Sequence, residues 1–362
     1  MQAHDTKNYV FTSISCGRDH SLALLSTGRV IGWGGDGSGN PPTNVPNYCS
    51  SEKATTTAVR LETPPVLSIT AGYGVSLAID TRHRLAVWGS DRAGLGGRLD
   101  AVSLAHPQLL PGVAAVRSVA AREFLFGAID DEGGLHTWGL NHEGSLGRAT
   151  PDLNAVPGKV DGLPPLRQVA VGSGYMLVLT QDGDLYSWGG NAAGQLGLGH
   201  LSCVAAPARI VASAKFSSVC AGATHTLAVT PKGAVMAWGS NHHGQLGTDK
   251  VKYSTAPIPV ALPEPVRAVA AGMHFSLALG ESGRVYAWGW NGRGQLGTGD
   301  LEDRRQPTRV AGLENASAIA AGETHAMAIA PGKLFGWGYN ASGQLGQSNR
   351  QQLHAAAFFP LG

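Results

Sequence analysis

Apolar and polar residues alternate in short runs that recur along the whole chain. In one copy of the pattern, residues 266–271, 276–279 and 285–289 each place apolar and small residues at alternating positions. Alternation over roughly four to eight residues is typical of a half-buried β-strand. A fourth run, residues 307–310, begins at a proline, which suits a strand at the edge of a sheet. The pattern therefore predicts four short strands, named A to D, in each copy.

Seven Trp-Gly pairs mark the copies, at intervals of 55, 50, 50, 50, 50 and 49 residues. Their tryptophans are Trp33, Trp88, Trp138, Trp188, Trp238, Trp288 and Trp337. A repeat of this length with four strands is typical of one propeller blade, and seven blades close a ring. The sequence thus predicts an all-β fold, a seven-bladed β-propeller of four-stranded antiparallel blades, with residues 1–362 as a single domain.

Other residues also recur once in each copy. A glycine follows strand A in six copies, and we expect it where the strands converge on the axis and leave no room for a Cβ atom. These glycines are Gly17, Gly72, Gly172, Gly222, Gly272 and Gly322. The third copy has Arg122 instead, so blade three is predicted to be irregular. We expect the tryptophans to pack between blades, and His20, His225 and His325 to be structural hydrogen-bonding groups.

One connection departs from the repeat. Residues 35–65 have lost the GQLG sequence found in copies four to seven and gained about five residues over the standard spacing of the repeat. The segment is rich in Pro, Asn, Ser and Thr, and such a composition is typical of a surface loop. We predict an irregular loop insertion at 35–65 that is available for partner contacts.

Composition and charge narrow the function classes. The 27 Lys and Arg residues nearly balance the 25 Asp and Glu residues. No basic stripe along the sequence indicates a nucleic acid or an anionic membrane as a partner. The first residues show no secretory signal, so we expect a cytoplasmic protein, with delivery into a host cell left open. The four cysteines have no zinc-binding spacing. No cofactor is predicted.

The repeat resembles the regulator of chromosome condensation repeat family over nearly the whole chain. The residues that carry the resemblance are AGATHTLAV and WGSNHHGQLG in copy five, AGETHAMAI and WGYNASGQLG in copy seven, and VGSGYMLVL and WGGNAAGQLG in copy four. The resemblance implies the propeller fold. It leaves function open, because propellers of this family include exchange factors for a small GTPase, a plant UV-B photoreceptor and a bacterial inhibitor of β-lactamases.

Two of those functions can be compared with residues of this chain. The photoreceptor has a tryptophan after the repeat glycine in several blades. Here that position holds Arg18, Tyr73, Glu123, Ser173, Ala223, Met273 and Glu323, which argues against a light sensor. The resemblance to the exchange factor implies acidic and histidine residues in the turn after the repeat glycine, and Asp19 and His274 match that pattern. The exchange factor also has a wedge in one blade, which the 35–65 segment does not resemble.

The strand order predicts which face of the ring binds a partner. In a blade of antiparallel neighbours, the A-to-B turn and the C-to-D loop emerge on one face, and the B-to-C turn emerges on the other. The first two connections vary in chemistry between copies and carry the types of residue common at binding surfaces. The predicted partner-binding residues are Arg18, Asp19, Tyr73, Glu123, Met273, His274, Trp290, Arg293, Glu323 and Tyr339. For Trp290, a contact role and a packing role are both open.

Three functions remain as hypotheses. The first is a protein-protein interaction scaffold, because no catalytic signature accompanies the variable face. The second is a small-GTPase regulator of the exchange type, based on Asp19, Glu123, His274 and Glu323.

The third hypothesis is an enzyme with a small molecule bound at the axial mouth. It would use His242, His243 or His274 as acid or base, with Arg122 or Arg293 holding an anion. Adjacent histidines in a loop usually point apart, so no metal site is predicted.

Overall fold

The computed structural model describes residues 10–35, 55–61, 63–89, 104–113, 115–347 and 353–358. Within them, 28 strands form seven sheets, and each sheet is one blade of four consecutive antiparallel strands in the order A, B, C, D. The predicted seven-bladed β-propeller is confirmed. We number the blades one to seven along the chain.

Each blade takes its strands from one continuous part of the sequence. Blade one consists of β1 Phe11–Cys16, β2 His20–Leu25, β3 Val30–Gly34 and β4 Thr55–Arg60, and blade two of β5 Val66–Ala71, β6 Val75–Asp80, β7 Leu85–Gly89 and β8 Leu104–Leu109. Blade three consists of β9 Val116–Arg122, β10 Leu125–Asp130, β11 Leu135–Leu140 and β12 Asn154–Val160; blade four of β13 Leu166–Gly172, β14 Tyr175–Thr180, β15 Leu185–Gly189 and β16 Val204–Arg209; and blade five of β17 Ser218–Ala221, β18 His225–Val229, β19 Val235–Ser240 and β20 Tyr253–Pro259. Blade six consists of β21 Val266–Ala271, β22 Phe275–Gly280, β23 Val285–Gly289 and β24 Arg304–Arg309, and blade seven of β25 Ala318–Ala321, β26 His325–Ala330, β27 Lys333–Gly338 and β28 Leu353–Phe358. A one-turn 3-10 helix, His142–Gly144, follows β11.

Strand D is the edge strand that tolerates proline. In blade six it begins at Arg304, three residues before the start that Pro307 predicts. Strand D pairs only with strand C, and its pairing shifts register between Ala287 and Gly289 of that strand. An edge strand with a bulge can hold a proline in its interior, because the missing N–H faces away from the ladder. Five of the seven D strands contain such a proline: Pro107, Pro157, Pro207, Pro257 and Pro307.

The segment 35–65 supplies a strand as well as a connection. Its residues Thr55–Arg60 form β4 and pair with β3, which completes blade one. Residues 36–54 and 62 of the predicted loop lie outside the described residues. The irregular loop therefore stays a prediction for residues 36–54 and 62.

The repeat tryptophans join each blade to the one before it, as predicted. All seven are fully or nearly fully buried. The indole Nε1 of Trp238 donates a hydrogen bond of 2.9 Å to the carbonyl of Gln195, which belongs to the GQLG turn of blade four. Equivalent bonds leave Trp33, Trp188, Trp288 and Trp337. Trp88 Nε1 has no acceptor among the described residues, and blade one is one of the three copies without a GQLG sequence.

The ring closes where blade one packs against blade seven. The Ser21 hydroxyl donates to the carbonyl of Gln344 at 2.8 Å and lies 2.9 Å from His325 Nε2. Ile14, Trp33, Met327 and Leu345 share one apolar core between the two blades. Neither blade borrows a strand from the other, so closure depends on side-chain packing and on hydrogen bonds between the blades.

Candidate functional site

The A-to-B turns and the C-to-D loops lie on one face of the ring, as predicted, and we call it the loop face. Backbone hydrogen bonds join the two connections within a blade: Trp290 N donates to His274 O, and Tyr339 N donates to Thr324 O, both at 2.9 Å. The B-to-C turns bond instead to the strand A that follows, as in the bond from Val66 N to Gly28 O. These turns therefore lie on the opposite face.

The predicted site residues separate into two groups on the loop face. The axial mouth consists of Arg18, Asp19, Tyr73, Arg122, Glu123 and Glu323, around the centre of the ring. The rim cluster consists of His243, His274, Trp290, Arg293 and Tyr339, in blades five to seven. Met273 lies beside the mouth, with its N–H bonded to Glu323 O at 3.0 Å and its side chain exposed. His242 is exposed, and its carbonyl accepts a hydrogen bond from Arg305.

The axial mouth opens on a cavity of about 210 Å³ along the axis of the ring. Its walls come from the strands A, which carry small side chains where they approach the centre. Arg18, Tyr73, Arg122, Glu123 and Glu323 line its charged end. The walls include Cys16, Ala71, Ala121, Val171, Ala221, Ala271 and Ala321.

The repeat glycines are required for two reasons, one of which the sequence did not suggest. A Cβ atom on Gly322 would lie 2.4 Å from the carbonyl oxygen of Gly17 in the next blade, which is the crowding expected at the axis. It would also lie 2.4 Å from the ring of His325, three residues later in the same blade. In blade three that third residue is Leu125, and position 122 holds an arginine.

Blade three interrupts a ring of backbone hydrogen bonds around the mouth. Five such bonds link neighbouring blades: Arg18 N to Gly72 O, Ser173 N to Ala223 O, Ala223 N to Met273 O, Met273 N to Glu323 O, and Glu323 N to Gly17 O. Among the described residues, no equivalent bond joins blade three to blade two or to blade four. Glu123 takes a left-handed backbone conformation with a φ of 49°. Its carboxylate accepts a bond of 2.6 Å from the Ser173 hydroxyl instead. The predicted irregularity of blade three is present.

The charged groups of the mouth neutralise one another in part. Arg18 lies 3.2 Å from the Asp19 carboxylate, 4.0 Å from that of Glu323, and 4.2 Å from the centre of the Tyr73 ring. Burial raises the pKa of Glu323, while the charges of Arg122 and Arg18 act to lower it. Arg122 makes no ion pair within 4.0 Å in the described part of the chain.

The rim cluster is a group of aromatic rings held together by stacking. The rings of His243 and His274 are 5.5 Å apart at an angle of 29°, and Trp290 lies 6.1 Å and 6.4 Å from them. A Cβ atom on Gly292 would lie 2.8 Å from Trp290 Nε1, so this glycine makes room for the indole. The guanidinium of Arg293 lies 5.0 Å from the ring centre of Tyr339.

Burial and neighbouring charges disfavour the charged form of His274. The pKa of His274 is lowered, first by burial and then by the charges of His243, Arg122 and His242. His243 Nδ1 lies 3.0 Å from the carboxylate of Asp303, which fixes the orientation of its ring. Sequence reasoning missed Asp303, which lies in the C-to-D loop of the next blade, and no local pattern marks that pairing.

The three histidines that recur at one position of the repeat match the structural role predicted for them. His20, His225 and His325 are fully buried, and each Nε2 lies about 3 Å from a serine hydroxyl of the next blade. The axial cavity has Arg122 in its lining but none of the histidines proposed as acid or base. The described residues contain no group of three or more His, Cys, Asp or Glu side chains placed to hold a metal ion.

This architecture matches a known family. Residues 167–358, more than half of the chain, match the RCC1-like domain family. The chain belongs to this family. Residues 11–40 and 132–179 also match the regulator of chromosome condensation (RCC1) repeat. No curated protein sequence matches the chain significantly.

Solved structures share the fold with the RCC1-like chain. Human WBSCR16 is 24% identical, with 92% of this chain and 94% of that chain covered and a TM-score of 0.80. Prp20p from Saccharomyces cerevisiae is 22% identical, with 86% and 80% covered and a TM-score of 0.74. Yeast Prp20 bound to Kap60 is 20% identical, with 99% and 89% covered and a TM-score of 0.77. No helix in the described part of the chain is long and apolar enough to cross a membrane.

Proposed function

We propose that this RCC1-like propeller is an interaction scaffold that binds a protein partner through the rim cluster. The observation that carries the proposal is the placement of Trp290. It lies two residues beyond the repeat tryptophan, where no other copy has an aromatic ring except Tyr339 of blade seven. Its ring is partly exposed and stacks with His243 and His274. Rigid aromatic and arginine side chains in one patch are typical of the residues that dominate binding energy at protein interfaces.

The surroundings of the cluster support the same function. Arg293 is exposed beside Tyr339, and the Met273 side chain is 36% exposed near the axial mouth. None of these side chains is fixed by the repeat, because the residue type at each of these positions varies between copies. The opposite face carries ordinary polar turns that are bonded to the next blade. A partner would therefore gain more buried aromatic area on the loop face.

A binding experiment with matched variants tests the proposal. The wild-type chain is used to capture a partner, and the dissociation constant of the purified pair is then compared with that of a triple variant, Trp290→Ala, Arg293→Ala and Tyr339→Ala. The control changes two exposed residues of the opposite face, Lys232→Ala and Glu281→Ala. We expect the triple variant to weaken binding by roughly 2 kcal/mol or more and the control to leave it unchanged. Unchanged binding by the triple variant would show that the partner uses another surface.

The alternative is a regulator of a small GTPase, and the acidic groups of the axial mouth favour it. Asp19, Glu123 and Glu323 lie in the turns that resemble those of the exchange factor, and the similar Prp20p is described by its binding properties to Gsp1p and histones. The decisive measurement is nucleotide release from a panel of small GTPases in the presence of the protein. Stimulated release that is lost in Glu123→Gln supports this function, and no effect across the panel excludes it for those GTPases.

A further inference from the structure

The contacts of His274 in the rim cluster suit an uncharged ring. The ring stacks on that of His243 at 5.5 Å and lies nearly perpendicular to the ring of Trp290, at 72° and 6.4 Å. Its Nδ1 atom is shielded from solvent and has no hydrogen-bond partner in the described part of the chain. A charged imidazole carries a proton on both nitrogens. In this position a charged His274 would therefore bury an N–H donor without an acceptor, which is costly.

The groups whose charges act on His274 carry the same sign as a protonated histidine. Two of them, His243 and His242, belong to the C-to-D loop of blade five, and Arg122 is the last residue of β9. Burial lowers the pKa of His274 first, and the charges of these three residues lower it further. A charged His274 in turn disfavours the charged form of His225, which is buried in β18. A proton on His274 is thus opposed from three blades.

The carboxylate bonded to the cluster pairs with His243 and not with His274. Asp303 Oδ2 lies 3.0 Å from His243 Nδ1, and Asp303 Oδ1 accepts a bond of 2.8 Å from Asn291 N. A proton added to His243 is therefore balanced by Asp303, and it places a positive charge against the ring of His274. Two charged rings stacked at 5.5 Å repel each other. His274 consequently takes up a proton more easily once its ring has left the stack and reached solvent.

We propose that the rim cluster is a pH-dependent binding surface: in mildly acidic solution His274 takes up a proton, its ring leaves the stack on His243, and the bound partner is released. Acid favours the open cluster because the closed one favours the uncharged ring, and the change begins below the ordinary histidine value of about 6.5. Trp290 loses a packed neighbour when the cluster opens. The release of a partner rests on the proposed scaffold function, whereas the opening is a property of this chain alone.

Quenching of tryptophan fluorescence by acrylamide measures the opening without a partner. Trp290 is partly exposed, whereas the seven repeat tryptophans are fully or nearly fully buried. The difference in quenching between the wild type and Trp290→Phe therefore reports on Trp290, from about pH 7.5 to about pH 5. Constant quenching of Trp290→Phe over this range shows that the ring stays folded. The proton NMR signal of the His274 ring, identified by its absence in His274→Phe, gives the midpoint of protonation.

Two variants take their residues from other blades. His274→Phe introduces the residue that blade three has at this position, Phe124, and His243→Ala introduces Ala193 of blade four. We expect the quenching of Trp290 to rise on acidification with the same midpoint as the His274 signal, and to lose its pH dependence in His274→Phe. In His243→Ala a like charge is removed, so the midpoint should move to higher pH. This second variant decides the question if His274→Phe fails to fold.

The partner purified for the scaffold experiment measures release. Below the midpoint we expect its affinity for the wild type to fall by up to about tenfold per pH unit, and its affinity for His274→Phe to stay constant. Quenching of Trp290 that is independent of pH, or that keeps its pH dependence in His274→Phe, would overturn the proposal. If quenching depends on pH but the triple variant of the scaffold experiment binds normally, the opening stands and the release of a partner from the rim cluster is rejected.

Discussion

At the scale of single residues, one atom distinguishes the junction between blades one and two from the others. Trp238 and Trp88 are equally buried, with 0% and 1% of their surface exposed. Trp238 Nε1 donates to Gln195 O at 2.9 Å, whereas Trp88 Nε1 has no acceptor among the described residues. A buried donor left without an acceptor costs roughly 1–3 kcal/mol. Trp88 therefore lacks the stabilisation that the hydrogen bond gives Trp238.

This difference predicts unequal effects of the same substitution at two blades. Phenylalanine keeps most of the apolar ring and removes the N–H group. Trp238→Phe should therefore lose a hydrogen bond, while Trp88→Phe relieves an unsatisfied donor. We expect the first variant to lower the free energy of unfolding by about 1 kcal/mol more than the second. Denaturant unfolding of both variants measures this difference, and equal losses would mean that Trp88 is bonded in solution.

At the scale of elements, the sequence predicts the bounds of a strand best where both faces of that strand are packed against other residues. The predicted runs 266–271 and 285–289 coincide with β21 and β23. Strand D of blade six begins earlier than its proline indicates, because pairing at an edge strand with a bulge depends on the partner strand more than on its own side chains. Blade three could be recognised as irregular from Arg122, since that residue breaks a repeat of glycines.

The last strand gives a prediction about the C-terminal segment. β28 Leu353–Phe358 pairs with β27 and completes blade seven. Deleting residues 351–362 removes this ladder and exposes the edge of β27 to other chains. We expect an insoluble protein, or one whose free energy of unfolding falls by roughly 3 kcal/mol or more. Thermal unfolding, with a deletion of residues 1–9 as the control, measures the effect. A melting temperature equal to that of the full chain would show that β28 contributes nothing to the ring.

At the scale of the whole molecule, the loop face could be predicted but its division into two groups could not. Which connections share a face depends only on strand order, and that order follows from the repeat. The stacking of His243 on His274 and the place of Arg122 in the wall of the axial cavity depend on how side chains of different blades turn toward each other. Such contacts join residues of separate copies, for which the periodicity carries no information. The site residues therefore stay predictions until a partner is tested.

Histidines buried between blades make the stability of the whole ring depend on pH. Burial lowers the pKa of His225 and of His325 to about 3, from an ordinary value of 6.5. Between these values the unfolded chain binds protons that the folded ring does not. Stability therefore falls as the pH falls below about 6.5, by up to about 1.4 kcal/mol per pH unit for each of the two histidines. Acidification should thus unfold the ring before most carboxylates are protonated.

A single variant separates this effect from general acid unfolding. His225→Phe introduces the residue that blade six has at the same position, Phe275, which lies against Gly272 as His225 lies against Gly222. Between about pH 7 and about pH 5, we expect the free energy of unfolding to fall by about 2 kcal/mol less in this variant than in the wild type. Denaturant unfolding at several pH values measures the slopes. Parallel slopes for the two proteins would mean that His225 titrates equally in the folded and unfolded chains, because a group contributes to pH dependence only through the difference between its two pKa values.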